Sequence, residues 1–195
     1  MILIVGLGNP GKEYKNSRHN SGRIILENIA KSNEFSEWKK NMKLKSLYAK
    51  GEIGKEKFDF LFPETFMNNS GVAVAHLIDN PKKLKNLVVI YDDIDLPIGS
   101  LKISFNRSSG GHNGLESIIK KLKSKEFLRI RIGTLPQTPF GKIRKPKGKK
   151  AMLNFLLGEY KKSELNELKK LSKKVAEIIV MISAEGKDKA MSVYN

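Results

Sequence analysis

The run Ile2-Leu3-Ile4-Val5-Gly6-Leu7-Gly8-Asn9-Pro10-Gly11 sets the frame for the rest of the chain. Successive aliphatic side chains suit a strand buried on both faces, and the glycine that ends them lets the backbone turn. The run also fits G-x-G-x-x-G directly after a strand, the dinucleotide-binding pattern. That pattern needs a helix opening within the glycines, so that backbone amides meet a pyrophosphate. Here Lys12-Glu13-Tyr14-Lys15-Asn16-Ser17-Arg18 follows, with no apolar helical face. No second strand ends in an acidic residue about 20 positions on, as the pattern requires. The glycines are therefore read as a sharp turn that leaves Asn9 projecting beside Pro10.

Outward from this strand, Ile24, Ile25, Leu26, Ile29 and Ala30 have the spacing of a helix over 22–31. Residues 45–52 and 57–62, separated by Gly54-Lys55, predict a hairpin. Residues 71–78 predict a helix capped by Asn68 or Ser70. Strands are expected at 87–91, 100–105 and 129–133, with an amphipathic helix at 114–122 between the last two. Leu165, Leu168, Leu171, Val175, Ile178, Ile179 and Ile182 trace one helical stripe, too short for a coiled coil and suited to docking. Strands and helices that alternate in this way predict an α/β fold: a twisted mixed sheet flanked by helices on both faces. At 195 residues, with no internal repeat or linker, residues 1–195 are expected to form a single domain.

The formal net charge is +17, from 37 Lys and Arg against 20 Asp and Glu. Such a field attracts polyanions and makes binding salt-sensitive. A generally lysine-rich composition would account for the total, but less well for the clustering of Lys142, Arg144, Lys145, Lys147, Lys149 and Lys150. Gly141, Pro146 and Gly148 punctuate that stretch, so 142–150 is expected to be a basic loop. The chain has no cysteine, which excludes disulfides and thiolate chemistry and fits a cytoplasmic protein. No apolar run approaches the roughly 18–20 residues that span a bilayer. The apolar start lacks the basic residues of a signal peptide and reads as the first strand.

Two of the three histidines lie in polar, irregular segments unsuited to a core: Arg18-His19-Asn20 and Gly110-Gly111-His112-Asn113-Gly114. Phe66-Met67-Asn68-Asn69-Ser70-Gly71 is a third segment of this kind. A histidine base, an aspartate to hold its tautomer and amides to meet an oxyanion are what ester hydrolysis by water needs. Neither a G-x-S-x-G elbow nor a cysteine is present, so direct attack by water is favoured over an acyl-enzyme. His76, on an apolar run, reads as a packing or surface residue, and a helix cap in a glycine turn is the competing reading for His112. In Asp92-Asp93-x-Asp95, Pro97 interrupts a calcium-type loop, and neither site histidine has a partner at zinc-ligand spacing. Asp93 and Asp95 read as an acidic turn. One carboxylate here could orient a histidine, and the residues alone leave open which. No metal and no cofactor is expected.

Several of these segments together resemble the bacterial peptidyl-tRNA hydrolases. They are Val5-Gly6-Leu7-Gly8-Asn9-Pro10-Gly11-x-x-Tyr14, Arg18-His19-Asn20-x-Gly22 and Phe66-Met67-Asn68-x-Ser70-Gly71. Asp92-Asp93-x-Asp95-Leu96-Pro97-x-Gly99 and Gly110-Gly111-His112-Asn113-Gly114-Leu115-x-Ser117-Ile118 follow in family order. Arg129-Ile130-Arg131-Ile132-Gly133 and Phe155-Leu156-Leu157-Gly158 extend the resemblance to about residue 160. It implies a monomeric α/β enzyme that cleaves the ester between peptide and tRNA and returns tRNA dropped by ribosomes to translation. It also implies His19 as general base, Asp92 as its orienting partner, and Asn9 as the residue that distinguishes a blocked from a free amino group. Tyr14, Phe66, Asn68 and Asn113 are implied in holding the peptidyl-tRNA end and the water, His112 as a helper near the acceptor end, and Arg131 in contacting phosphate. The chain departs from the pattern at Asn106-Arg107-Ser108-Ser109, where a small glycine-containing run is usual, and at Ser104, where some relatives are basic. The stretch 142–150 is longer than in many relatives. An RNA-binding protein without catalysis would account for the charge but not for His19, Asp92 and the asparagines.

Overall fold

The computed structural model describes residues 1–137 and 145–195. The chain begins with β1 (Ile2–Gly6), passes through two short 3-10 turns and enters α1 (Ser21–Ser32). The small strands β2 (Glu34–Phe35) and β3 (Lys39–Asn41) lead to the hairpin of β4 (Ser46–Ile53) and β5 (Glu56–Pro63). Then come α2 (Ser70–Ala75), α3 (Pro81–Lys85), β6 (Leu87–Pro97), β7 (Leu101–Phe105), α4 (Asn113–Leu122) and β8 (Leu128–Leu135). Three helices close the described chain: α5 (Lys149–Leu157), α6 (Lys162–Glu185) and α7 (Lys187–Tyr194).

All the described strands join one sheet in the order β2-β4-β5-β1-β6-β8-β7, with β3 beside β4. The central strands β5, β1, β6 and β8 are parallel, and β4 and β7 flank them antiparallel. The sheet is therefore mixed, as the hairpin predicted. Side-chain alternation divides the core between two faces. Ile4, Phe60, Ile90 and Ile130 meet α1 and α6 on one face, whereas Val5, Leu61, Val89 and Tyr91 meet α2 and α4 on the other. The stripe on α6 is core: Leu168, Leu171, Val175, Ile178, Ile179 and Ile182 are buried against the first face. On the outer edge of β7, the Asn195 side chain accepts from the Ile103 N–H and donates to its carbonyl, which pairs backbone groups otherwise open to another strand.

Four expectations need correction. The 71–78 helix is shorter and ends at Ala75, and neither proposed residue caps it. Asn69 precedes it without a side-chain bond, and Ser70 donates to the Met67 carbonyl at 2.9 Å. The acidic turn is a continuation of β6 through Asp92-Asp93-Ile94-Asp95 to Pro97, with a register shift after Asp93. Its charges are met by neighbours, Asp93 by Arg131 and Asp95 by Lys145. The basic stretch is not one loop: Lys149 and Lys150 open α5, while Lys145 and Lys147 precede it. Gly141, Lys142 and Arg144 lie outside the described residues. Finally, α3, α5 and α7 were not foreseen.

Glycine leaves room at two close crossings, one of a helix on the sheet and one between two helices. A Cβ on Gly22 would stand 2.2 Å from the Ile90 carbonyl oxygen and 2.6 Å from the Leu7 nitrogen. Gly71 meets the Ser117 carbonyl oxygen in the same way, which seats α2 on α4. Gly22→Ala is expected to push α1 off β1 and β6 and to cost on the order of 1–3 kcal/mol, the usual range for overpacking. Urea unfolding followed by circular dichroism measures this, and an unchanged midpoint would show that α1 has slack at this crossing.

Candidate active site

The parallel strands end on the side where Gly6, Asp92 and Gly133 lie, and the polar segments collect there, as open α/β sheets direct. Asp92 sits near the end of the paired part of β6, its side chain 1% exposed. His19 lies in the 3-10 turn Arg18–Asn20 immediately before α1. Its Nδ1 stands 2.9 and 3.0 Å from the two Asp92 oxygens. His112 arrives from the far side of the sheet as the N-cap residue of α4, with Nε2 3.0 Å from Asp92 Oδ1. One buried carboxylate thus meets two imidazoles, whose ring centroids are 5.0 Å apart. Tyr91 packs edge-on against His112 at 4.8 Å, and burial pushes its hydroxyl pKa up to about 12, so it remains neutral.

The hydrogen bonds fix where the ring protons reside. The Leu115 N–H donates to His112 Nδ1 at 3.2 Å, so that nitrogen is bare and the proton is on Nε2, which donates to Asp92. His112 is therefore both a helix cap and a member of the site. His19 donates from Nδ1 to Asp92, which leaves its Nε2 lone pair without a protein partner among the described residues. Burial alone would raise the Asp92 pKa, but the two imidazoles outweigh it and hold the carboxyl well below the usual carboxylate range. Burial lowers the His19 pKa, and the charge and hydrogen bond of Asp92 more than reverse this, to a net value above the ordinary 6.5.

His19, Asp92 and His112 bring three ligand-type atoms within 4.8 Å of one another, a cluster that the sequence spacing did not reveal. The donor set fits a cation poorly. With His112 Nδ1 committed to the Leu115 N–H, ligation through Nε2 needs either an imidazolate or loss of the helix cap. A proton on each imidazole satisfies the same three side chains without either cost.

A cleft of about 630 Å³ opens over this cluster. His19, Asp92, His112, Asn113 and Arg131 line it, joined by Lys102 and Arg107 and by an apolar wall of Met152, Leu153, Leu156 and Met191. Asn9, Tyr14, Phe66 and Asn68 do not line it. Tyr14 is half-buried in the turn Lys12–Tyr14, Asn68 is exposed, and Phe66 is an exposed aromatic, at 59%. Asn9 is buried, and its Oδ1 accepts from the Met67 N–H at 2.8 Å. Arg131 is not a free cation, because its Nε donates to Asp93.

Asn20 is the residue beside the candidate site that sequence reasoning passed over. Its Oδ1 accepts from the Asn9 N–H at 2.8 Å and its Nδ2 donates to the Asn9 carbonyl at 3.0 Å. The His19 turn thereby holds the Asn9 turn through one buried amide. The signal available was only its place in Arg18-His19-Asn20, since spacing says nothing of where an amide points.

The family described as peptidyl-tRNA hydrolase matches residues 3–195. The chain belongs to the peptidyl-tRNA hydrolase family. A peptidyl-tRNA hydrolase of Thermoanaerobacter sp. strain X514 is 40% identical over 196 residues, with all of both chains covered. That of Clostridium tetani is 38% identical, over all of this chain and 97% of its own. Among solved structures, the peptidyl-tRNA hydrolase of Acinetobacter baumannii superposes with a TM-score of 0.85 at 27% identity, covering all of this chain and 96% of that one.

Asn20→Ala leaves both backbone groups of Asn9 unpaired in a buried turn, and is expected to cost on the order of 1–3 kcal/mol. Chemical unfolding of the variant measures this. A loss under about 0.5 kcal/mol, the scale of an ordinary surface substitution, would show that water replaces the amide.

Proposed function

We propose that His19 is the general base of this hydrolase and that Asp92 sets its tautomer. The activity is that of the family, hydrolysis of the ester that joins peptide to tRNA. The observation that carries the mechanistic reading is the His19 ring itself, tied to Asp92 through Nδ1 while lining the cleft. Nε2 takes a proton from water as the water oxygen bonds to the ester carbonyl carbon. Asp92 stabilises the imidazolium through the Nδ1 bond. The tetrahedral intermediate collapses by breaking the bond to the ribose oxygen. That oxygen takes the proton from His19 and leaves as the free hydroxyl of tRNA, with the peptide carboxyl as the other product.

Amide donors would meet the oxyanion and the water, each contributing on the order of 3 kcal/mol when preorganised. Asn113 is suitably placed at the start of α4, and Asn68 adjoins Met67, whose sulfur packs on Gly114 of the same helix. His112 keeps Asp92 ionised and fixed. Asn9, held rigid by Asn20 and Met67, suits a test for a blocked amino group, and Tyr14 and the exposed Phe66 suit contacts with the peptidyl end. Arg131 would reach phosphate by sharing its guanidinium with Asp93. The net charge of +17 fits tRNA as the partner. We read the protein as a single-domain, cytoplasmic monomer that needs no cofactor. No helix among the described residues is long and apolar enough to cross a membrane.

His19→Ala should lose on the order of 10²-fold or more in turnover while tRNA binding survives. The assay is release of tRNA from N-acetyl-aminoacyl-tRNA in EDTA, with the unblocked ester as control. Near-normal turnover in the variant, or loss of wild-type activity in EDTA, would contradict the reading. The pH dependence has a definite sign. Neutral His19 is the active form, so kcat/KM rises with pH through a pKa raised above 6.5. Asp92→Asn removes the anion that raises it, so the limb should move to lower pH while the plateau falls. An unmoved limb would separate Asp92 from the base.

A further inference from the structure

Arg18, the residue before the proposed base, faces away from the chemistry and is the centre of a latch. Its Nη1 donates to the Glu159 carbonyl at 2.8 Å and the Gly158 carbonyl at 3.2 Å. Its Nη2 meets both Glu164 oxygens, at 3.0 and 3.3 Å, in a pair whose side chains are only 11% and 12% exposed. The guanidinium also lies over the rings of Phe155, at 4.6 Å from the centroid, and Tyr160, at 5.2 Å. Backbone bonds run alongside: the Arg18 N–H donates to the Gly158 carbonyl, and the Tyr160 N–H to the Asn16 carbonyl. One side chain therefore grips the end of α5, the segment after it and the first turn of α6.

What this grip holds is the apolar wall of the cleft. Helix α5 supplies Met152, Leu153 and Leu156 to the lining, yet none of its residues is fully buried. A helix with no buried stripe is not positioned by its own packing, and most helical stability comes from such packing. Among the described residues, the polar and cation–ring contacts that tie its C-terminal end to the body converge on Arg18. Arg18 is covalently joined to His19, so the wall and the base are referred to the same turn.

We propose that Arg18 is a positioning residue for substrate binding: through Glu164 and Phe155 it sets the distance between the α5 wall and His19. This rests on the reading of His19 and the cleft given above. The wall adds apolar contact to whatever part of the peptidyl-tRNA end lies in the cleft, in the ground state and transition state alike. Loosening it therefore raises KM and leaves kcat and its pH dependence in place.

The test is steady-state cleavage of N-acetyl-aminoacyl-tRNA by wild type, Arg18→Lys, Glu164→Gln, Leu153→Ala and the Arg18→Lys/Leu153→Ala pair. Lysine keeps the charge but loses the fork and the stacking. Arg18→Lys is expected to raise KM about tenfold and Glu164→Gln about threefold, with kcat within about twofold and the pH limb of kcat/KM unmoved. Leu153→Ala should raise KM as well, and the double variant should exceed the larger single effect by less than about twofold, because both act through one wall. A fall in kcat or a moved pH limb would overturn the proposal by placing Arg18 in the support of the base. Multiplying effects in the double variant, or an unchanged KM in Glu164→Gln, would also overturn it. Should Arg18→Lys fail to fold, Glu164→Gln decides alone, since it lies outside the His19 turn. Failure of wild type to release tRNA would overturn the underlying reading, and this inference with it.

Discussion

One carboxylate organises the site. Asp92 is withdrawn from water at the end of a central strand, where an unpaired charge would be costly, and two imidazole N–H groups satisfy it. Those groups come from turns on opposite faces of the sheet, one opening α1 and the other capping α4. Breaking either bond leaves a buried charge short of a donor, so the arrangement is all or none. The sheet places the carboxylate, and α1 can bring the His19 turn to it because Gly22 lets the helix lie close to β6, while Gly71 seats α2 on α4.

The same contacts explain why the rings differ although both face Asp92. His112 uses its two nitrogens for structure, one accepting from the backbone of α4 and the other donating to Asp92. His19 uses one nitrogen and keeps the other for the cleft. Hydrogen bonding thereby commits both nitrogens of one ring and leaves one nitrogen of the other uncommitted among the described residues. The proposed base role of His19 rests on that division.

Much of this could be read in the sequence because burial on both faces writes a strand as an uninterrupted aliphatic run. Ile2–Gly6 and the start of β6 carry that mark, the alternation of Arg129-Ile130-Arg131-Ile132 marks β8, and helical spacing marks α1, α4 and α6. The His19 and His112 turns stood out because polar, glycine-rich segments have no place in a core. What could not be read depends on contacts distant in sequence. Strand β6 continues through three aspartates because Arg131 and Lys145, far along the chain, compensate two of them, and His19 and His112 the third. Asn20 holds Asn9 through a pairing that its local sequence does not encode. For His112, cap and site look like alternatives in the sequence, but an imidazole has two nitrogens and serves as both. Helix α5 lacks a buried stripe, so no helical periodicity marks it in the sequence.

The central claim is the division of roles between the two rings, and histidine nitrogen NMR reads it directly. In protein labelled with ¹⁵N, at a pH above the His19 midpoint, the account predicts His19 protonated on Nδ1 and His112 protonated on Nε2. A His19 ring carrying its proton on Nε2, with Nδ1 bare toward Asp92, would contradict it, because no lone pair would then remain to take a proton from water.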